Sequence, residues 1–292
     1  LRASNEFMGK IISVANQKGG VGKTTTAINL AACLALSGKK VLIVDIDPQG
    51  NASSGLGVNL GENQKGIYEL LTEGISRDQV IYSTEIDTLK IIPSNVDLAG
   101  AEIELVGRDN REKILSMALN GINEEYEFVV IDCPPSLGLL TINALTVSQS
   151  VLIPMQCEYY ALQGLSHLLK TLQRIKKSIN PNLKVEGILL TMYDNRTLLT
   201  SQVENQVKKY FSEYLMRTII PRNIRLSEAP SHGKPIVLYA NRSKGSDSYI
   251  ELAQEVIQRT KGEISSSKTE PQEVTYEEWI KENKLRDFLK KK

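Results

Sequence analysis

Seven short apolar runs set the rhythm of the chain. They occupy residues 10–15 (KIISVA), 41–45 (VLIVD), 89–93 (LKIIP), 128–132 (FVVID), 150–155 (SVLIPM), 185–191 (VEGILLT) and 218–221 (TIIP). Several are apolar at consecutive positions, the pattern of strands buried on both faces of a parallel sheet. Longer segments between them carry apolar residues at helical spacing. Residues 24–37 place Ala27, Ile28, Leu30, Ala31, Leu34 and Ala35 this way and stop at Gly38, a favoured helix terminus. Residues 161–180, followed by Pro181, and residues 246–261 read as helices on the same grounds. Alternation of strand and helix predicts an α/β fold, a mostly parallel twisted sheet flanked by helices on both faces. There is no internal repeat.

The rhythm breaks near Gly262. Residues 262–272 (GEISSSKTEPQ) are polar and rich in serine, as linkers are. Beyond them Thr275 and Glu278 have the spacing of a capping box, and Tyr276, Trp279, Ile280, Leu285, Phe288 and Leu289 can form one apolar stripe. The expected partition is a starting segment over residues 1–8, with Leu1 to Phe7 extraneous and Met8 the natural beginning, and a main domain over 9–262. A polar linker over 263–274 and a short C-terminal amphipathic helix over 275–292 follow it.

Composition narrows the picture. With 292 residues, 41% hydrophobic and 24% charged, the chain can build a full globular core. No apolar run approaches the ~20 residues needed to cross a bilayer. Cys33, Cys133 and Cys157 lack the spacing of a zinc site or disulfide framework, and read as reduced buried thiols of a cytoplasmic protein. Net charge is only +1, yet residues 196–244 hold nine Lys/Arg against three acids, leaving −5 on the rest. Such a concentration of positive charge suits a phosphate-binding surface, or more plainly a solvated helix face.

The chemistry gathers at residues 16–26 (NQKGGVGKTTT), which follow an expected strand and open an expected helix. They resemble the phosphate-binding pattern G-x-x-x-x-G-K-[ST], with Gln17 in place of the first glycine and a second lysine, Lys18, after it. Backbone N–H groups around Gly19, Gly20, Val21 and Gly22 would cradle phosphate oxygens, helped by the helix dipole. Lys23 would lie between the β- and γ-phosphates, the Thr24 hydroxyl would ligate Mg²⁺, and Thr25 would reach the α-phosphate. Asp45 and Asp47 end one apolar strand and Asp132 another, where α/β folds place ligands. Each could instead cap a turn.

These residues together resemble a known family. The strings KGGVGKTTTAINLA, VDIDPQGN, VVIDCPPSLG, TMYDNRT and IIPRNIRLSEAPSHGKPI are similar to those of the ParA/Soj ATPases that partition chromosomes and plasmids. These belong to the deviant Walker A class and have a P-loop NTPase-like fold. The resemblance implies an ATP hydrolase, slow and partner-stimulated, that uses Mg²⁺ and pairs into an ATP-dependent homodimer. It implies that Lys18 acts in trans on the other subunit's phosphates, that Asp47 orients the attacking water, and that Asp132 supports Mg²⁺ through water. Lys18, Lys23 and Asp47 are thus the catalytic candidates. Pro221 and Asn223 match the segment framing adenine. Arg196 and Arg225 match arginines that bind double-stranded DNA nonspecifically, in a nucleoid-associated protein stimulated by a ParB-type centromere-binding partner. The tail departs from this pattern and raises an alternative, a membrane-associated positioning ATPase like MinD, although its single Trp makes a weak anchor. An electron-transfer ATPase like the nitrogenase iron protein would need two cluster-ligating cysteines, and the surroundings of Cys133 and Cys157 do not match.

Overall fold

The computed structural model describes residues 8–263. The expected tail helix, nearly all of the expected linker and residues 1–7 lie outside the described residues.

Seven strands form a single sheet: β1 (Lys10–Val14), β2 (Val41–Asp45), β3 (Tyr82–Ser83), β4 (Leu89–Ile92), β5 (Phe128–Asp132), β6 (Ser150–Gln156) and β7 (Lys184–Thr191). Their order is β3-β4-β2-β5-β1-β6-β7. Only β3 runs antiparallel, against β4 at one edge; the other pairs are parallel. The consecutive apolar positions have a direct cause. Leu42 and Val44 face one hydrophobic core, whereas Val41 and Ile43 face the other. Ile11 and Ile12 divide in the same way, as do Val129 and Val130. Each core side chain of this kind contributes about 1.5–3 kcal/mol by leaving water.

The helices Lys23–Leu36 and Lys244–Thr260 cover one face. The helices Leu139–Val147, Ala161–Ser178 and Leu198–Phe211 cover the other. Among the described residues, no helix is long and apolar enough to cross a membrane.

Residues 218–221, expected as a strand, do not form one. The backbone N–H of Thr218 donates to Glu255 Oε2 at 3.0 Å, and that of Arg217 donates to Glu255 Oε1 at 3.0 Å. Those donors are therefore spent on a carboxylate of the Lys244–Thr260 helix, and Pro221 has none to offer. What remains is an isolated parallel bridge between Tyr193 and Pro221 beyond the end of β7. Arg225 sits in a short helix, Ile224–Glu228.

Candidate nucleotide site

β1 lies between β5 and β6, and the chain leaves β1 and β5 in opposite directions along the sheet. That reversal opens a crevice at the carboxyl ends of the strands, where ligands of open α/β sheets bind. Residues 16–23 turn through it. Gly20 and Gly22 adopt φ of 73° and 84°, the left-handed region where a side chain is strained. Gly22 caps the Lys23–Leu36 helix without a side-chain hydrogen bond, and no acid stands in the first turn. The leading N–H groups of that helix are thus left for an anion. Thr191 at the end of β7 steadies the loop, its Oγ1 donating to the Val21 carbonyl at 2.8 Å.

Lys23 is buried, and its Nζ donates to the Lys18 carbonyl at 3.1 Å. Burial lowers its pKa, and the nearby Asp132 and Asp47 oppose that shift. Asp45 and Asp132 are direct neighbours across β2 and β5. Their roles diverge. Asp45 is satisfied internally: Oδ2 accepts from Ser53 N at 2.9 Å and Oγ at 2.7 Å, and Oδ1 accepts from Asp47 N at 3.1 Å. Burial still pushes its pKa up to about 6. It is a structural residue, anchoring the Asn51–Gly55 helix to β2. Asp132 is fully buried, and both of its carboxylate oxygens lack a hydrogen-bond partner. The Thr24 hydroxyl is close but not in hydrogen-bonding geometry. Burial first, then Asp45, drives the Asp132 pKa well upward. Asp47 is buried, with Oδ1 accepting from Gln49 N at 3.0 Å.

An unpartnered buried carboxylate is costly unless a cation completes it. Thr24 and Asp132 offer hard oxygen donors, which suit Mg²⁺. The structure therefore brings Lys23, Thr24, Asp47 and Asp132 to one place.

Five other expected residues have partners elsewhere. Lys18 is half-buried and pairs with Glu158. Pro221 bridges Tyr193, and the Asn223 side chain caps the Ile224–Glu228 helix, accepting from Arg225 N at 2.9 Å. Arg196, in a turn past β7, grips Asp194 through Nε at 2.8 Å and Nη2 at 2.6 Å. Arg225 Nη1 lies 2.7 Å from Glu228 Oε2. The sequence reading missed Asn16, Thr191 and Glu158. Asn16 and Thr191 adjoin recognised motifs, whereas a lone glutamate 140 residues from its partner carries no sequence signal.

Comparison with known proteins agrees with this geometry. A family model described as an AAA domain matches residues 9–185. The chain is 57% identical over 249 residues to the sporulation initiation inhibitor protein Soj of Bacillus subtilis (strain 168), covering 85% of this chain and 98% of that one. It is 53% identical over 252 residues to the chromosome partitioning protein ParA of Myxococcus xanthus, covering 86% and 89%. Among solved structures, cobyrinic acid a,c-diamide synthase from Mycobacterium smegmatis with ADP and magnesium has a TM-score of 0.77 at 34% identity, covering 90% of this chain and 100% of that one. The cell-division ATPase MinD of Pyrococcus furiosus has a TM-score of 0.73 at 27% identity, covering 86% and 100%.

Proposed function

The chain belongs to the Soj/ParA family of chromosome-partitioning ATPases, and from that premise we propose that it is a nucleotide switch whose output is a bound state. In the ATP form two subunits face each other and bind DNA without sequence preference. A ParB-type partner then stimulates hydrolysis and releases them. The partition into a main domain over 9–262, a linker and a tail helix is part of the same proposal.

The observation that carries the reading is the bare, buried carboxylate of Asp132 beside Lys23 and the phosphate loop. Thr24 and Asp132 would hold Mg²⁺, Asp132 through water. Bound there, the ion neutralises phosphate charge that develops on the leaving group. Lys23 holds the β- and γ-phosphates, and the N–H groups of Gly19, Gly20, Val21 and Gly22 cradle them. Thr25 reaches the α-phosphate, and Pro221 and Asn223 frame the base. Asp47, fixed by its bond from Gln49 N, orients the attacking water. Lys18 serves the nucleotide of the facing subunit, where exclusion of water makes its charge count. Arg196 and Arg225 contact backbone phosphates of DNA, which position a protein without reading sequence.

A DNA-binding titration with ATP, with ADP and without nucleotide tests the switch. Tight, sequence-independent binding only with ATP is expected. Equal affinity in all three states would remove the link between nucleotide and DNA.

A further inference from the structure

Two lysines of one loop have different partners. Lys23 Nζ donates to the Lys18 carbonyl. The Lys18 Nζ donates instead to Glu158 Oε2. The backbone on both sides fixes this meeting. Asn16 is buried; its Nδ2 donates to the Pro154 carbonyl at 2.7 Å, and its Oδ1 accepts from Lys18 N at 3.1 Å. One side chain thus clips the loop to β6 and aims Lys18. Just past β6, Glu158 N donates to Gln156 O at 2.9 Å, and Glu158 O accepts from Ala161 N at 3.0 Å. That turn presents Glu158 at the start of the Ala161–Ser178 helix.

We propose that Glu158 is a positioning residue for Lys18. It stations the lysine within the single subunit and is given up when Lys18 engages phosphates across the pair. The inference rests on the trans role assigned to Lys18 above. Both side chains are partly exposed, 41% for Lys18 and 43% for Glu158, so water screens the pair and its exchange is easy. The carboxylate competes with phosphate for the same ammonium. Once released, it stands near incoming negative charge. Both effects raise the subunit concentration needed for pairing and leave nucleotide binding by one subunit alone.

Glu158→Gln keeps the size and removes the charge. Dimerisation would be followed by sedimentation with Mg²⁺ and a non-hydrolysable ATP analogue. The midpoint concentration should fall roughly three- to tenfold, two modest ion pairs being exchanged per dimer. ADP affinity should stay within about twofold. Glu158→Asp, which retains the charge, should return the midpoint toward the parent value. The gap between parent and Glu158→Gln should narrow near ~0.5 M salt, where screening acts within a few ångströms. Should Glu158→Gln disturb the turn, Glu158→Ala gives the same reading. An unmoved or raised midpoint in these charge-free variants overturns the proposal. Lys18→Ala separates the two ideas: if it pairs normally with the analogue, the trans role itself fails. If it does not pair while Glu158→Gln leaves the midpoint unchanged, only the role of Glu158 fails.

Discussion

The floor of the nucleotide crevice and the arginine-bearing rim handle charge in opposite ways. On the floor, Asp45, Asp132 and Lys23 are buried and held by strands or by the helix that follows them. Charge there is costly, and the pKa values of all three move toward the neutral form. On the rim, Arg196 and Arg225 are exposed, and each is matched by a carboxylate two or three residues away. Such pairs cost little to make or break. The floor is thus built around buried charge, whereas the ion pairs on the rim are readily exchanged. A switch needs both: one place where ligand changes much, and another where the response is gradual.

Substitutions on the floor should have the largest effects. Asp47→Ala should lower hydrolysis by about 10²–10⁴ while dimers persist in Mg-ATP. Phosphate release measured beside size exclusion checks this, and normal turnover would show Asp47 misassigned. Lys23→Ala should weaken nucleotide binding by at least about a hundredfold, since it removes several charge-assisted contacts at once. Calorimetric titration with ADP reads it directly.

The rim should respond in a graded way. Arg225→Ala, and separately Arg196→Ala, should flatten the salt dependence of DNA binding by about two units per dimer, equally on unrelated sequences. Basal hydrolysis should stay as it was. An unchanged slope in both variants would place the DNA surface elsewhere.

Asp132→Asn should reverse sign with ligand. Without nucleotide it removes a buried, unpartnered acid whose ionisation costs stability, so the melting temperature should rise by about 2–4 °C. The further rise that Mg-ATP gives the parent protein should vanish. The pH dependence follows the same logic. An acid whose folded pKa lies above its unfolded value binds protons more tightly when folded. Stability therefore falls as pH rises through the interval between the two values. For Asp45, with its folded pKa of about 6, that interval is about pH 4–6. Thermal unfolding of Asp45→Asn against pH should lack this part of the parent's slope. The smallest effect belongs to Asp194→Asn. It frees Arg196 and should strengthen DNA binding only a few-fold at low salt, with no change in ATP turnover. A weaker complex would show that Asp194 orients the arginine rather than competing for it.

Much of the floor was legible in sequence because its signals are local. Lys23 and Thr24 follow glycines and open a helix, and Asp132 ends an unbroken apolar run. The two-sided burial of β2 and β5 could be read from the same runs. Contacts made at a distance could not. Glu255 captures the backbone of residues 217–218 from another helix, so an apolar string that looks like a strand makes only an isolated bridge. The two-residue β3 carries too little pattern to be seen, and it pairs only at an edge. The short helix that carries Arg225 leaves no mark in the sequence, because the capping role of Asn223 depends on side-chain geometry rather than on periodicity.

The pairing of β1 with β5 also has a consequence in time. Lys10 lies opposite Phe128, and Val14 opposite Asp132. The phosphate loop therefore leaves the ribosome well before the carboxylate that completes its floor, which emerges roughly a hundred residues later. At ~5–20 residues per second that delay is about 5–20 s. Throughout it, β1 has neither of its eventual neighbours, β5 or β6, so its apolar faces have no sheet to join. Closing so long an excursion is slow, as for any sheet built from distant parallel strands. A nascent chain should thus gain nucleotide-dependent protection from proteases in a single late step, once β5 and β6 are both free of the exit tunnel. The glycine-rich loop, though made well before β5, stays silent until then.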